Sequence, residues 1–257
     1  MVQIIAGKKG KGKTKHLLDM ANAAIKGASG TVVYLDKSAQ HMYELNNRIR
    51  LINVNEFPIT HSEGFLGFIC GINPGDTLTL EQLLYGLMLP SGNDAGAAIA
   101  VHMDGSIEAF ADRMNEEAKR LGAVDSHFVN PHGLHDEDHY TTAYDLYLIF
   151  NEAFKYPQFR EIIEAKAYTA DYINGAGESV SRTWKCSNQF ITGERDTPEG
   201  VTVLGGKTGT TKAAGYCLII ASKDDASEGN FISVVLKSDS RAHLYDNMTN
   251  IISKIVK

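Results

Sequence analysis

No stretch of about eighteen consecutive apolar residues occurs in the 257-residue chain, which excludes a membrane-spanning helix. There are only three cysteines, Cys70, Cys186 and Cys217. An odd number at wide spacing, without a CxxC pair, excludes a disulfide framework and the common zinc motifs, and suits buried thiols in a reducing compartment. The opening Met1-Val2-Gln3-Ile4-Ile5-Ala6-Gly7 passes at once into Lys8-Lys9-Gly10-Lys11, which inverts the basic-then-apolar order of a secretory signal, so the protein is expected in the cytoplasm. No aromatic residue interleaves Lys8, Lys9, Lys11, Lys13 and Lys15, and no nucleic-acid partner is expected. No serine has a lysine three residues after it: Ser29 is followed by Val32 and Ser38 by His41. A Ser–Lys pair one helical turn apart is therefore excluded.

What is present divides in two. Residues 1–72 hold nine Lys/Arg against five Asp/Glu, and the remainder holds sixteen against twenty-six. An asymmetry of that size marks separate units. The turn Asn73-Pro74-Gly75-Asp76 is the natural boundary, giving units 1–72 and 73–257.

The first unit begins with a short buried strand, Val2–Ala6, then Gly7-Lys8-Lys9-Gly10-Lys11-Gly12-Lys13-Thr14, which fits G-x-x-x-x-G-K-[ST]. In such a loop Gly7, Gly10 and Gly12 let backbone N–H groups wrap phosphate oxygens, Lys13 neutralises the β/γ-phosphates and Thr14 holds Mg²⁺. Leu17, Leu18, Ala21, Ala24 and Ile25 recur at helical spacing, and Thr31–Asp36 reads as a second strand. The segment resembles the start of P-loop NTPases that carry a second signature lysine, with Lys8 in that place and Lys9 where the pattern has glycine. ATP with Mg²⁺ is the cofactor this resemblance implies. A helix is expected around His41–Arg50, and no further strand is evident beyond Asp36. Two strands are too few for a complete nucleotide-binding sheet, so the segment reads as a truncated α/β unit.

In the second unit Thr79 and Gln82 form a capping-box pattern ahead of a helix over Leu80–Met88. Pro90 halts it and presents Ser91-Gly92-Asn93 at the start of the next helix, Asp94–His102. A third helix spans Ser106–Leu121, and Thr141 or Thr142 caps one running to Phe154. His127, His132, His135 and His139 lie beside three acids, but their spacing fits no helical ligand pair, and no metal is expected. After Pro157 the pattern turns to β: a hairpin over Ala167–Tyr172 and Ser179–Trp184, then strands at Val201–Thr211, Gly215–Ser222 and Asn230–Leu236. A helix over Arg241–Val256 closes an α+β architecture.

Three stretches, LLYGLMLPSGNDA, FVNPHGLHDEDHYTTAYDL and GGKTGTTKAAGYC, occur in this order. They resemble the serine-type D-alanyl-D-alanine carboxypeptidases, the low-molecular-weight penicillin-binding proteins of peptidase family S11. The resemblance covers about residue 73 to the end. It implies a penicillin-binding-protein/β-lactamase-like domain, a helical subdomain plus an antiparallel sheet, with no cofactor. The implied partners are peptidoglycan stem peptides ending in D-Ala-D-Ala, and β-lactams. S-x-N and K-T-G are two of three signature motifs of these enzymes. Carried over, Ser91 relays a proton, Asn93 binds the substrate amide and Lys207 sets the field at the hydroxyls. Thr208 and Arg241 receive the terminal carboxylate, Gly209 is a further substrate-binding residue, and the N–H of Thr210 is an oxyanion donor. The third motif, S-x-x-K, supplies the nucleophile in these enzymes and has no counterpart here, so impaired catalysis is expected. Three readings stay open: an impaired carboxypeptidase homologue, a nucleotide-binding protein and a non-catalytic peptide-binding module.

Overall fold

Lys13–Ala24 forms helix α1, Val32–Asp36 strand β1 and Ile49–Asn53 strand β2. These precede residue 71 in the computed structural model, which describes residues 13–24, 26, 32–36, 44–46, 49–53, 71–73, 75–226 and 229–255. β1 and β2 pair in parallel, Val32 opposite Ile49 and Asp36 opposite Asn53. Asn22 on α1 donates to Glu44 O at 2.8 Å and accepts from Asn46 N at 2.7 Å, which ties the helix to the chain entering β2. Two expectations are corrected. A strand does follow Asp36, and Ile49 and Arg50 belong to it rather than to a helix around His41–Arg50. Leu45, Ile49 and Ile52 recur at helical spacing, whereas the short, mostly apolar run Ile49-Arg50-Leu51-Ile52 suits a strand equally well, an ambiguity periodicity alone cannot resolve. The expected strand Val2–Ala6 lies outside the described residues.

The turn at 73–76 forms as expected: Asp76 accepts from Asn73 N at 2.9 Å and Gly75 adopts φ 93°. It is laced to its surroundings, since Ile72 N donates to Asp94 at 3.0 Å and Thr77 N to Ile173 O at 2.8 Å. The capping box of Thr79 and Gln82 starts α2 (Leu80–Met88). Gly92 precedes α3 (Asn93–Asp104). Ser106 caps α4 (Ile107–Arg120) and Thr142 caps α5 (Ala143–Ala153), each cap contributing about 1 kcal/mol. Helix α6 (Pro157–Glu164) was not expected. Pro157 occupies its first turn, where the missing N–H costs nothing and the fixed φ suits a helix; Ile162 and Ile163 are buried from it.

Strands β3 (Ala167–Ile173) and β4 (Ser179–Lys185) form the expected hairpin as a sheet of their own. Its Tyr168 stacks on Tyr85 of α2 at 3.8 Å between ring centroids, so the hairpin shares a core with α2 and α3. After the short helix α7 (Gln189–Thr192), β5 (Val201–Thr211), β6 (Gly215–Asp224) and β7 (Asn230–Ser238) form an antiparallel sheet in that order. Helix α8 (Arg241–Ile252) closes the described fold.

Strand β6 is buried on both faces. Leu218 and Ile220 pack with Leu244, Met248 and Ile252 of α8, whereas Ile219 and Ala221 pack with Phe150 of α5 and Ile163 of α6. The sheet is thus a middle layer between helices. Directly opposed residues of an antiparallel pair share a face. Lys207 opposes Ile219 and Thr208 opposes Leu218. Lys207 therefore faces the helical layer and Thr208 the α8 layer. Among the described residues no helix is long and apolar enough to cross a membrane.

Candidate active site

Ser91 sits at the tip of the turn between α2 and α3, held by bonds on either side. Leu89 N donates to Tyr85 O at 3.0 Å, and Gly92 N reaches back to Gly86 O at 3.0 Å. This tight return places Ser91 at φ 63°, a left-handed conformation that costs a non-glycine residue about 1–3 kcal/mol. Such strain persists only where the surroundings over-determine the backbone. Asn93 follows as the first residue of α3, half-buried at its amino end.

Lys207 reaches Ser91 from β5. The strand can approach because glycines precede it: at Gly205, φ 145°, a Cβ would lie 2.5 Å from Ile163 Cγ1, and at Gly206 it would lie 2.2 Å from Ile219 O. Lys207 Nζ donates to Ser91 Oγ and, at 2.7 Å, to Thr208 O. No carboxylate among the described residues forms an ion pair with it. Burial without a counter-ion pushes the ammonium down from 10.5 to about 8, with the Cys186 thiol opposing slightly. Cys186 itself is pushed up by burial.

On the other face, Ser187 Oγ and Thr208 Oγ1 share a hydrogen bond of 2.6 Å. Ser187 N also donates to Leu89 O at 3.2 Å, which closes a ring from Leu89 through Ser187, Thr208 and Lys207 to Ser91. Tyr245 of α8 accepts from Gln189 N at 2.9 Å, and its hydroxyl donates to Ser187 O at 3.5 Å. Arg241 lies one helical turn before Tyr245, near enough for its charge to act on the phenol, while burial is the main cause raising that phenol. Gly209 and Thr210 are exposed at the open end of β5. The structure thus brings Ser91 and Lys207 together, and Thr208 beside them on the same strand. Asn93 follows on α3, Gly209 and Thr210 continue β5 beyond Thr208, and Arg241 begins α8. Ser187 and Tyr245 escaped the sequence reading. The one signal for Tyr245 was its place a helical turn from Arg241.

The FVNPHGL stretch is mainly a brace. Asn115 holds Phe128 through both main-chain groups, at 2.7 and 2.8 Å, and Asn130 accepts from Gly133 N at 2.7 Å. Asp145, 1% exposed, accepts from Asp125 N at 2.9 Å and Ser126 Oγ at 2.6 Å. The histidines bond the backbone: His127 Nδ1 lies 2.6 Å from Asp138 O, and His139 Nδ1 accepts from Val129 N at 3.1 Å. His132 packs against Gly96 of α3, and burial holds its pKa near 4. Among the described residues no group of three or more metal-binding side chains converges.

Of the loop candidates, Gly7, Lys8, Gly10 and Gly12 lie outside the described residues. Lys13 and Thr14 are the first two residues of α1.

A model of the peptidase S11 family, D-alanyl-D-alanine carboxypeptidase, matches residues 22–240, a stretch that starts within α1. The chain is 32% identical over 164 residues to D-alanyl-D-alanine carboxypeptidase DacF of Bacillus subtilis, covering 63% of this chain and 39% of that protein. It is 36% identical over 155 residues to the D-alanyl-D-alanine carboxypeptidase of Streptomyces sp. K15, covering 58% and 51%. The match spans about half or less of those relatives. The crystal structure of the Streptomyces K15 DD-transpeptidase superposes with a TM-score of 0.66 at 29% identity, covering 93% of this chain and 84% of that one. With the family model running across the α2–α3 turn, the β5–β7 sheet and the ring that joins them, the chain belongs to the peptidase S11 family of D-alanyl-D-alanine carboxypeptidases.

Proposed function

We propose that the chain binds peptidoglycan stem peptides through their D-Ala-D-Ala end, and β-lactams in the same place, while turning peptides over poorly. The observation that carries this reading is the ring from Ser91 to Thr208, with Lys207 inside it and Arg241 on the adjoining helix. A terminal carboxylate at Thr208 gains a hydroxyl donor and the Arg241 guanidinium, suited to a two-pronged grip. The amide on the far side of the terminal Cα then lies toward Lys207, Ser91 and Asn93, and Thr210 N–H is the oxyanion donor on the same strand. Poor turnover follows from the missing S-x-x-K: loss of a serine nucleophile typically costs about 10⁶ in kcat.

Calorimetry with an N-acylated D-Ala-D-Ala peptide, beside an assay of released D-Ala, tests this. Saturable binding that Thr208→Val weakens, with release near the uncatalysed background, is expected. Absence of binding refutes the recognition; release at about 1 s⁻¹ or faster refutes the impairment.

A second reading concerns the opening segment. Support for nucleotide binding by Gly7–Thr14 comes from the sequence match and from α1 starting at Lys13, where a phosphate loop would run into its helix. Mg²⁺-dependent ATP binding abolished by Lys13→Ala is expected; its absence removes the reading.

A further inference from the structure

We infer that the open end of β5 carries a second recognition site, a cavity that takes a carboxylate borne on a long side chain of the stem peptide, inward from D-Ala-D-Ala. This assignment rests on the docking proposed above and names what the same site selects in its ligand.

The cavity, of about 420 Å³, lies between the β5–β6 turn and the end of β7, within the size range of small-ligand sites, roughly 300–1,000 Å³. Thr210, Lys212, Tyr216, Lys237, Ser238 and Asp239 are part of its lining. A bulge shapes it. From Tyr216 to Leu218 strand β6 advances two residues, while their partners on β7, Ser238 and Val235, are three apart. Within that step Lys237 adopts φ 57°, a left-handed conformation that clusters at functional sites when a residue other than glycine holds it. In a regular strand Ser238 would face away from Val235. The bulge returns it to the face of α8, beside Tyr216 and Thr210. Gly215, at φ 66°, lets the turn close against it, since a Cβ there would lie 2.6 Å from Ser238 O. The Ser238 hydroxyl is buried without a hydrogen-bond partner among the described residues, which leaves it available to a ligand.

Charge sets the ligand class. Lys212 and Lys237 are exposed at the rim and form no ion pair among the described residues, whereas Asp239, the one acid of the lining, is bonded to His243 at 2.6 Å. Two ammonium groups and an unpartnered hydroxyl suit a carboxylate and disfavour an amine. Strand order decides which part of the peptide brings that carboxylate. β5 is an edge of its sheet, open to an added strand. With the terminal carboxylate at Thr208 and the amide at Thr210 N–H, a peptide laid along this edge continues inward past Thr211 toward Lys212. Lys237 stands two strand spacings from the edge, about 10 Å. A short acidic side chain therefore falls between the two lysines and the edge, and a long aliphatic arm spans the gap.

Calorimetry of the full chain with a set of N-acetylated tripeptides ending in D-Ala-D-Ala is the test. Their first residue is L-2-aminopimelate, its side-chain amide or L-lysine, which carry a carboxylate, a neutral group and an ammonium on the same aliphatic arm. The carboxylate peptide is expected to bind about tenfold more tightly than the amide, and the lysine peptide most weakly. Lys212→Met should cut that preference about threefold, as should Lys237→Asn, which keeps a residue tolerant of the left-handed backbone. The double variant should abolish it. Affinity for the amide peptide should stay unchanged throughout, showing that the variants are folded and the D-Ala-D-Ala dock is intact. Equal affinity for carboxylate and amide, tighter binding of the lysine peptide, or a preference that survives the double variant overturns the cavity's role and leaves the dock standing. A fall for all peptides alike in the variants assigns the lysines to the fold and overturns the selection. If no peptide binds the parent chain, the dock itself fails and the cavity's role falls with it.

Discussion

Lys207 and Thr208 are neighbours on β5, yet they live in different physical worlds. Lys207 faces the layer of α5 and α6, where an ammonium is shielded from water, lacks a carboxylate and is held near 8. Thr208 faces the layer of α8, where a neutral hydroxyl joins Ser187 and, through it, Tyr245. One side disfavours charge on the protein; the other can welcome it on a ligand. The alternation of a single strand is enough to separate the two jobs by one residue. Both depend on β5 holding its register against β6.

Shifting that register should therefore damage both faces together. A Cβ at Gly206 would sit 2.2 Å from Ile219 O and 3.0 Å from Ile220 Cα, both parts of the paired strand rather than flexible side-chain ends. Gly206→Ala is expected to cost more than about 3 kcal/mol, read as a lowered urea midpoint, with peptide binding lost in whatever folded protein remains. Normal stability would mean that the close approach of β5 and β6 is not what positions the site.

The second expectation separates the faces. An unfolded lysine titrates near 10.5 and the folded one near 8. Between those values the unfolded chain binds more protons, so stability rises with pH across this window. Below about 8 the penalty on the folded state is complete. Lys207→Met removes it, so the variant should be more stable than the parent at pH 7, by up to about 3 kcal/mol, with the advantage fading toward pH 10.5. Urea melts at pH 7 and pH 10 measure this. A variant less stable at pH 7 would show that the bonds to Ser91 and Thr208 O outweigh the burial of charge.

Much of this arrangement could be read from the chain because local chemistry dictates it. Thr79 with Gln82, Ser106 and Thr142 satisfy orphan N–H groups wherever a helix begins, and their spacing marks the starts without tertiary knowledge. Ser91, Asn93 and Lys207 stand in short motifs whose neighbouring glycines and proline fix the backbone. What escaped was set by context. Pro157 reads as a breaker but serves as the first residue of α6, and β2 hid because Leu45, Ile49 and Ile52 fall at helical spacing while so short an apolar run suits a strand equally well. Ser187 follows a cysteine in a stretch without periodicity, and its role exists only once Leu89, Thr208 and Tyr245 surround it.

That context makes Ser187 the most discriminating position on the α8 face. Its hydroxyl can donate to Thr208 Oγ1, leaving the threonine proton aimed at a ligand, or accept from it. If Ser187 serves as the donor, Ser187→Ala frees the Thr208 rotor and weakens peptide binding about fivefold, near 1 kcal/mol, a typical hydrogen-bond contribution. Ser187→Thr keeps the donor and should restore affinity. Thr208→Val should erase any further effect of Ser187→Ala, since the two then act through one bond. The Ser91 side supplies the contrast: neither Ser187→Ala nor Thr208→Val alters a side chain bonded to Lys207 Nζ, whose partner on Thr208 is the main-chain oxygen, so the rise of stability between pH 8 and pH 10.5 should persist in both. A profile that moves in Ser187→Ala would show that the two faces of β5 are coupled, and that one strand does not insulate them.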